Sequence, residues 1–205
     1  MNASTFTLHR GDLPAALDLG PVVAVDTETM GLDPRRDRLC LVQLSAGDGH
    51  AHLVQVEAPY DCPNLKALLA DPAREKLFHF ARFDVAVIEH FLGVVAAPLF
   101  CTKIASKLVR TFTDRHGLKD ICKDLLGIEL SKQQQSSDWG APALAPEQLT
   151  YAATDVLHLH ALQARLVPLL QREGRLDLAR ACFGFLPARG RLDVLGWEDP
   201  DIFAH

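Results

Sequence analysis

Apolar positions gather in short runs over the first hundred residues and then spread into helical periodicity. The valine-rich run PVVAVDTE, introduced by Gly20-Pro21, reads as a buried strand. Two further apolar runs, RLCLVQLS and HAHLVQV, flank Gly47-Asp48-Gly49 and predict a β-hairpin, because glycine supplies the positive φ that tight turns require. The proline-bounded PNLKALLADP predicts a short helix, EKLFHF a fourth strand, ARFDVAVIEHFLG a helix ended by Gly93, and APLFCT a fifth strand. Beyond these, KIASKLVRTF and LKDICKDLLG have helical spacing, and the stretch from Pro146 to about Glu173 predicts one long amphipathic helix closed by Gly174. The order β-β-β-α-β-α-β followed by helices predicts an α/β fold, a mixed sheet flanked by helices.

The polar stretch SKQQQSSDWGAPALAP stands directly before the long helix and is a candidate substrate-facing loop. From Leu186 the chain keeps Leu192, Val194, Leu195, Trp197, Ile202 and Phe203, so the tail at about 186–205 is expected to dock, on its own fold or on a neighbouring subunit. No repeat or flexible linker divides the chain, and residues 1–205 are expected to form one domain. With 48% hydrophobic residues among 205, it can bury a substantial core without staples. The five cysteines, Cys40, Cys62, Cys101, Cys122 and Cys182, are scattered and form no C-x-x-C pair, which argues for buried free thiols rather than disulfides or zinc. No signal-like start and no apolar run of bilayer length is seen, and a cytoplasmic protein with no membrane partner is expected.

Aspartates and glutamates carry the chemistry. Asp26 and Glu28, two apart at the end of the first predicted strand, project to the same face and form a two-carboxylate bracket. Such a triplet alone means little; the buried strand that leads into it and the Gly31 turn after it give it weight. Asp84 stands near a helix start, where an aspartate often only complements the helix dipole. Tyr151 and Asp155 lie one turn apart on the long helix, and Asp155 sits among Val156, Leu157 and Leu159, where an unpaired carboxylate is costly. All-oxygen ligands of this kind suit a hard divalent cation such as Mg²⁺.

A formal net charge of −5 is unusual for a protein that handles nucleic acid, but two divalent cations on these four acids would bring it to −1. The balance is also uneven. Between Lys103 and Lys132, seven cations (Lys103, Lys107, Arg110, Arg115, Lys119, Lys123, Lys132) face four acids, either a phosphate track or a solvated helical face.

The three stretches AVDTETMGL, FHFARFDVAV and LTYAATDVL resemble the three motifs of the DEDD exonuclease superfamily, in the tyrosine-bearing DEDDy branch that includes ribonuclease D. All four acids and the tyrosine match in order, and over nearly its whole length the chain resembles the compact oligoribonuclease (nano-RNase C) branch. Many ribonuclease D relatives carry Asn after the motif-two histidine, where this chain has Phe80, and the helical nucleic-acid-binding domains of ribonuclease D have no counterpart here. The resemblance implies a ribonuclease H-like fold and 3′-5′ exoribonuclease activity on short oligoribonucleotides down to dinucleotides, with nucleoside 5′-monophosphates as products. It further implies two Mg²⁺ or Mn²⁺ ions on Asp26, Glu28, Asp84 and Asp155, with Tyr151 orienting the attacking water. A ring-shaped homo-oligomer is implied too, an octamer being the candidate assembly. Leu32, with Met30 as a weaker alternative, would wedge beside the terminal bases. His79, Arg82, Arg115, Lys132 and Trp139 are candidates for gripping phosphate or base, although His79 could equally be a core histidine and Trp139 a packing anchor. Competing readings are a DNA exonuclease of the proofreading type and a catalytically inactive nucleic-acid-binding module.

Overall fold

Six strands form one sheet in the computed structural model, which describes residues 5–130 and 137–203. They are β1 (Phe6–Arg10), β2 (Val22–Thr29), β3 (Leu39–Ser45), β4 (Ala51–Gln55), β5 (Glu75–Phe78) and β6 (Leu99–Cys101), in the spatial order β1-β4-β3-β2-β5-β6. β3 is antiparallel to both β2 and β4, and the remaining pairs are parallel. All seven residues of β3 are buried, so both faces of the sheet are covered at its centre.

The helices are α1 (Pro63–Ala70), α2 (Ala81–Val87), α3 (Thr102–Val109), α4 (Leu118–Leu126), α5 (Pro146–Leu157), α6 (Leu159–Arg172) and α7 (Leu176–Val194). α2 runs on through a π turn, Ile88–Leu92, and stops at Gly93 in the left-handed region. α5 lies across β2, β3 and β4, α6 packs on α3 and α4, and α7 packs along α2 and against β6.

The mixed α/β sheet and the hairpin at Gly47 and Gly49, both with positive φ, agree with the sequence pattern. Two expectations are corrected. Four strands, not three, precede the first helix, because Phe6–Arg10 adds an edge strand parallel to β4. Its two apolar residues, Phe6 and Leu8, alternate with polar ones and give too little signal alone. The expected single helix from Pro146 to Glu173 is two helices broken at His158. Neither Gly nor Pro marks the break. α5 follows the sheet, whereas α6 must turn to bury Leu159, Leu162, Leu166 and Leu170; His160 Nε2 anchors the new direction by donating to the Val22 carbonyl at 3.0 Å. The five cysteines are free thiols, four of them buried and Cys182 half-buried. Among the described residues no helix is long and apolar enough to cross a membrane.

The fold positions a site at one place in particular. β5 pairs with β2 only over Val22, Val23 and Ala24, so β2 outruns its neighbour and carries Asp26 and Glu28 beyond it. α2 starts three residues after β5 and fills that gap. The open end lies outside the carboxyl ends of two parallel strands, the usual location of ligands in α/β sheets. α7 reaches α2 through Gly190, where an added Cβ would stand 3.0 Å from Val85 Cγ2 and 3.1 Å from the Ala86 nitrogen. Gly190→Val is expected to push α7 off α2 and destabilise the fold by about 1–3 kcal/mol. Thermal unfolding measures this, and a variant as stable as wild type would show that the close approach is dispensable.

Candidate active site

Three elements bring five side chains together. β2 supplies Asp26 and Glu28, which face Gln43 and Leu41 of β3; Gln43 Nε2 donates to Asp26 Oδ2 at 3.4 Å. A register shift between Glu28 and Thr29 ends the regular pairing there, releasing the chain into the Gly31 turn. α2 supplies Asp84 from its first turn, and Thr27 Oγ1 donates to Asp84 Oδ1 at 2.7 Å. α5 supplies Tyr151 and Asp155, whose approach to the sheet is allowed by the buried Ala152 and Ala153.

Oxygens of Asp26, Glu28 and Asp155 lie within 4.8 Å of one another, the one cluster of three potential metal ligands found among the described residues. Asp84 stands outside that triad yet close enough for its charge to raise the pKa of both Asp26 and Glu28. The carboxylates open on the cleft and are crowded by protein on their other sides. Burial, then repulsion from Asp84, Asp155 and Glu28, drives Asp26 well above the usual carboxylate range. Burial followed by repulsion from Asp155 and Asp84 pushes Glu28 up to about 9. Asp84 is raised to about 7 by burial against the opposing hydrogen bond from Thr27, and Asp155 to about 7 by burial against that from Tyr151. Four acids that cannot all ionise together are a poor structural device. All-oxygen donors that converge and repel one another fit hard divalent cations, whose charge removes the penalty.

The acids lie in a cleft of about 1080 Å³. Met30 and Leu32 line it and are 49% and 84% exposed, which leaves Leu32 free to meet a ligand. Several candidate contacts stand otherwise than the sequence suggested. His79 lines the cleft and is partly buried, and because Thr102 Oγ1 donates to the Phe78 carbonyl, His79 Nδ1 must donate to Thr102 Oγ1. Burial and the nearby Lys103 drive its pKa down to about 3, so His79 is a neutral ring and not a phosphate-gripping cation. Arg82 lines the cleft, but both arms of its guanidinium fork donate to Asp193 of α7, at 2.7 and 2.8 Å. Arg115 is exposed away from the cleft lining. Trp139 is buried, its ring centroid 6.3 Å from that of Tyr151, and it packs the phenol rather than offering an open stacking face. Lys132 lies outside the described residues, as does the first part of the expected substrate-facing loop, whose Ser137 and Trp139 line the cleft. Of the six described cations between residues 103 and 131, Lys103 and Lys119 line the cleft; Arg110 is buried against Asp124, and Lys123 pairs with Glu129.

The cleft also holds residues that sequence reasoning did not single out as site residues. Thr27 fixes Asp84, and Asp193, Glu198 and Asp199 bring the C-terminal segment to the lining. Phe80 lines the cleft, is 48% exposed, and carries the Lys103 ammonium 4.0 Å from its ring centroid. Its φ of 67° lies in the left-handed region, which costs a bulky residue energy and which asparagine tolerates. The departure from asparagine at this position was the sole sequence signal for it. Nothing local in the sequence marks the Arg82–Asp193 pair, whose partners are 111 residues apart.

Comparison with known proteins agrees with this geometry. A structure of Brucella melitensis NrnC bound to pGG superimposes with a TM-score of 0.95 at 55% identity, covering 99% of this chain and 100% of that one. Another of the same protein with bound Mg²⁺ gives 0.93 at 54% identity, covering 98% and 100%. Ribonuclease D of Gluconacetobacter diazotrophicus is 39% identical over 158 residues, 77% of this chain, and the chain spans only 40% of that relative's length. Residues 12–171 match the family described as 3′-5′ exonuclease, and the chain belongs to that family.

Proposed function

We propose that the protein is a 3′-5′ exoribonuclease of very short RNA, degrading oligoribonucleotides down to dinucleotides and releasing nucleoside 5′-monophosphates, in the cytoplasm and as a homo-oligomer. The convergence of Asp26, Glu28 and Asp155, with Asp84 and Tyr151 beside them, carries the phosphodiesterase reading. The short substrate is supported by the cleft, whose size is at the upper end of the roughly 300–1,000 Å³ typical of small-molecule pockets. The pGG-bound relative, alike over its whole length, supports it as well.

Asp26, Glu28, Asp84 and Asp155 would hold two divalent cations, Mg²⁺ or Mn²⁺. When bound, such a pair activates water and stabilises the leaving oxygen of an in-line displacement at phosphorus. The protein's own groups do the positioning. Thr27 donates to Asp84 Oδ1 and fixes that carboxylate. Tyr151 is raised well above its ordinary pKa by burial, then by the charges of Asp155, Glu28 and Asp26. It therefore stays protonated at neutral pH, cannot act as a base, and serves as a donor that orients Asp155 and the nucleophile. Trp139 packed on its ring limits where the phenol can point.

A time course with 5′-labelled ribodinucleotide, longer RNA and matched DNA, with Mg²⁺ and with chelator, tests the assignment. Fast metal-dependent turnover of the dinucleotide is expected; activity that survives chelator, or faster cleavage of long DNA than of any short RNA, contradicts it. Asp155→Asn should lower kcat/KM by more than the roughly 10- to 100-fold typical of losing a group that merely supports a metal ligand. Tyr151→Phe should cost about 100-fold in kcat with less effect on KM, as expected for lost orientation; steady-state kinetics decide both.

The raised carboxylates also make stability depend on pH. In the unfolded chain these acids ionise near pH 4, whereas Glu28 holds its proton to about 9 and Asp84 and Asp155 theirs to about 7. Between those limits the folded state binds more protons, so stability present at low pH is lost as pH rises through 7 to 9. In chelator, Tm should fall between about pH 6 and about pH 9, less steeply in Glu28→Gln, and Mg²⁺ should restore it most at the alkaline end. A Tm that ignores Mg²⁺ across this range would refute the argument.

A further inference from the structure

Everything that closes one edge of the catalytic cleft comes from beyond residue 171, where the stretch shared with the exonuclease family ends. α7 lies against α2, and the turns after it are tied back by a chain of ion pairs. Arg82 holds Asp193, Asp193 meets Arg189 at 3.0 Å, and Arg189 meets Asp201 at 3.1 Å while donating to the Trp197 carbonyl at 3.2 Å. On the other side the turns reach the loop that follows β2: Gly196 is close to Arg35, and Glu198 is within electrostatic reach of the same guanidinium. The segment thus spans from the helix of Asp84 to the turn of Leu32.

The charge lining this edge is one-sided. Arg82, Arg189 and Arg35, the last forked onto Asp33, stand among Asp193, Asp201, Glu198 and Asp199, but in the lining itself Arg82 stands against Asp193, Glu198 and Asp199. Lys103 and Lys119, from α3 and α4, belong to the same lining. A polyanion entering such a cleft is drawn toward the lysines and repelled at the acidic edge, most strongly where protein walls displace water.

We propose that the C-terminal segment 193–201 is the length-selecting wall of the cleft, Glu198 and Asp199 repelling the phosphates of any strand longer than the cleft holds. This rests on the short-RNA reading above. The carboxylates are not a binding site. They act against a longer competitor, which is how specificity is gained without tighter binding of the preferred substrate.

The test measures kcat/KM for a 5′-phosphorylated ribodinucleotide and for release of the first nucleotide from a ten-residue RNA. Wild type is compared with Glu198→Gln/Asp199→Asn and with Glu198→Lys/Asp199→Lys. The ratio of long to short substrate should rise about tenfold at low ionic strength in the neutral variant and further in the reversed one, and the gain should shrink in about 0.5 M salt. A loss of fold would lower both rates and leave their salt-dependent ratio alone. If wild type prefers the dinucleotide and both variants keep the same ratio with the dinucleotide rate undiminished, the wall is overturned and the short-RNA reading stands. If wild type shows no length preference, both fall.

Discussion

Mutual repulsion among Asp26, Glu28, Asp84 and Asp155 is the constraint around which this protein is organised. Each is raised by burial, and charge from the others adds to the shift in Asp26 and Glu28, so no arrangement of the chain alone makes the cluster comfortable. A fold can hold such a cluster only if the scaffold under it is stiff and if the penalty is removed by something outside the chain. The central strands provide the first condition. β2 is paired with β5 over Val22, Val23 and Ala24 and with β3 from Ala24 onward, β3 is buried throughout, and α5 crosses the sheet directly over them. Divalent cations provide the second.

The geometry that results divides labour between rigid and adjustable parts. The four clustered acids come from a strand and two helices, where rotamers are limited by packing. The groups that could recognise RNA stand on the rim: Leu32 in a turn, Phe80 at a strained helix entry, Lys103 and Lys119 on two helices, and the acidic C-terminal turns. Chemistry and specificity can therefore change independently.

How much of this was visible in the sequence follows from the range of each signal. Asp26 and Glu28 were legible because a strand's two-residue period puts them on one face, and Tyr151 and Asp155 because a helix brings positions four apart together. The β3–β4 hairpin announced itself through its glycines. β1 escaped because two apolar residues cannot establish a period, and the bend at His158 because the apolar spacing of α5 and α6 continues across it although the buried surfaces differ. Local patterns also misled on chemistry: Arg82 looked like a free cation, and His79 like a candidate ligand for phosphate. Both line the cleft, but the first is paired with Asp193 of α7 and the second is held neutral by burial, and neither effect can be read from a local pattern.

The close contact at Gly190 bears on how the molecule is made. The four clustered acids and Tyr151 are translated before α7 begins at Leu176, so a nascent chain contains all five of these side chains while one flank of α2, including Val85 and Ala86, still lacks its cover. Only when residue 190 leaves the ribosome can that helix be clamped, and only then is Arg82 turned from a loose cation into half of an ion pair. Maturation of the site is thus tied to the synthesis of α7, and a product cut short after the family's shared stretch keeps the acids but not the helix that steadies one of them.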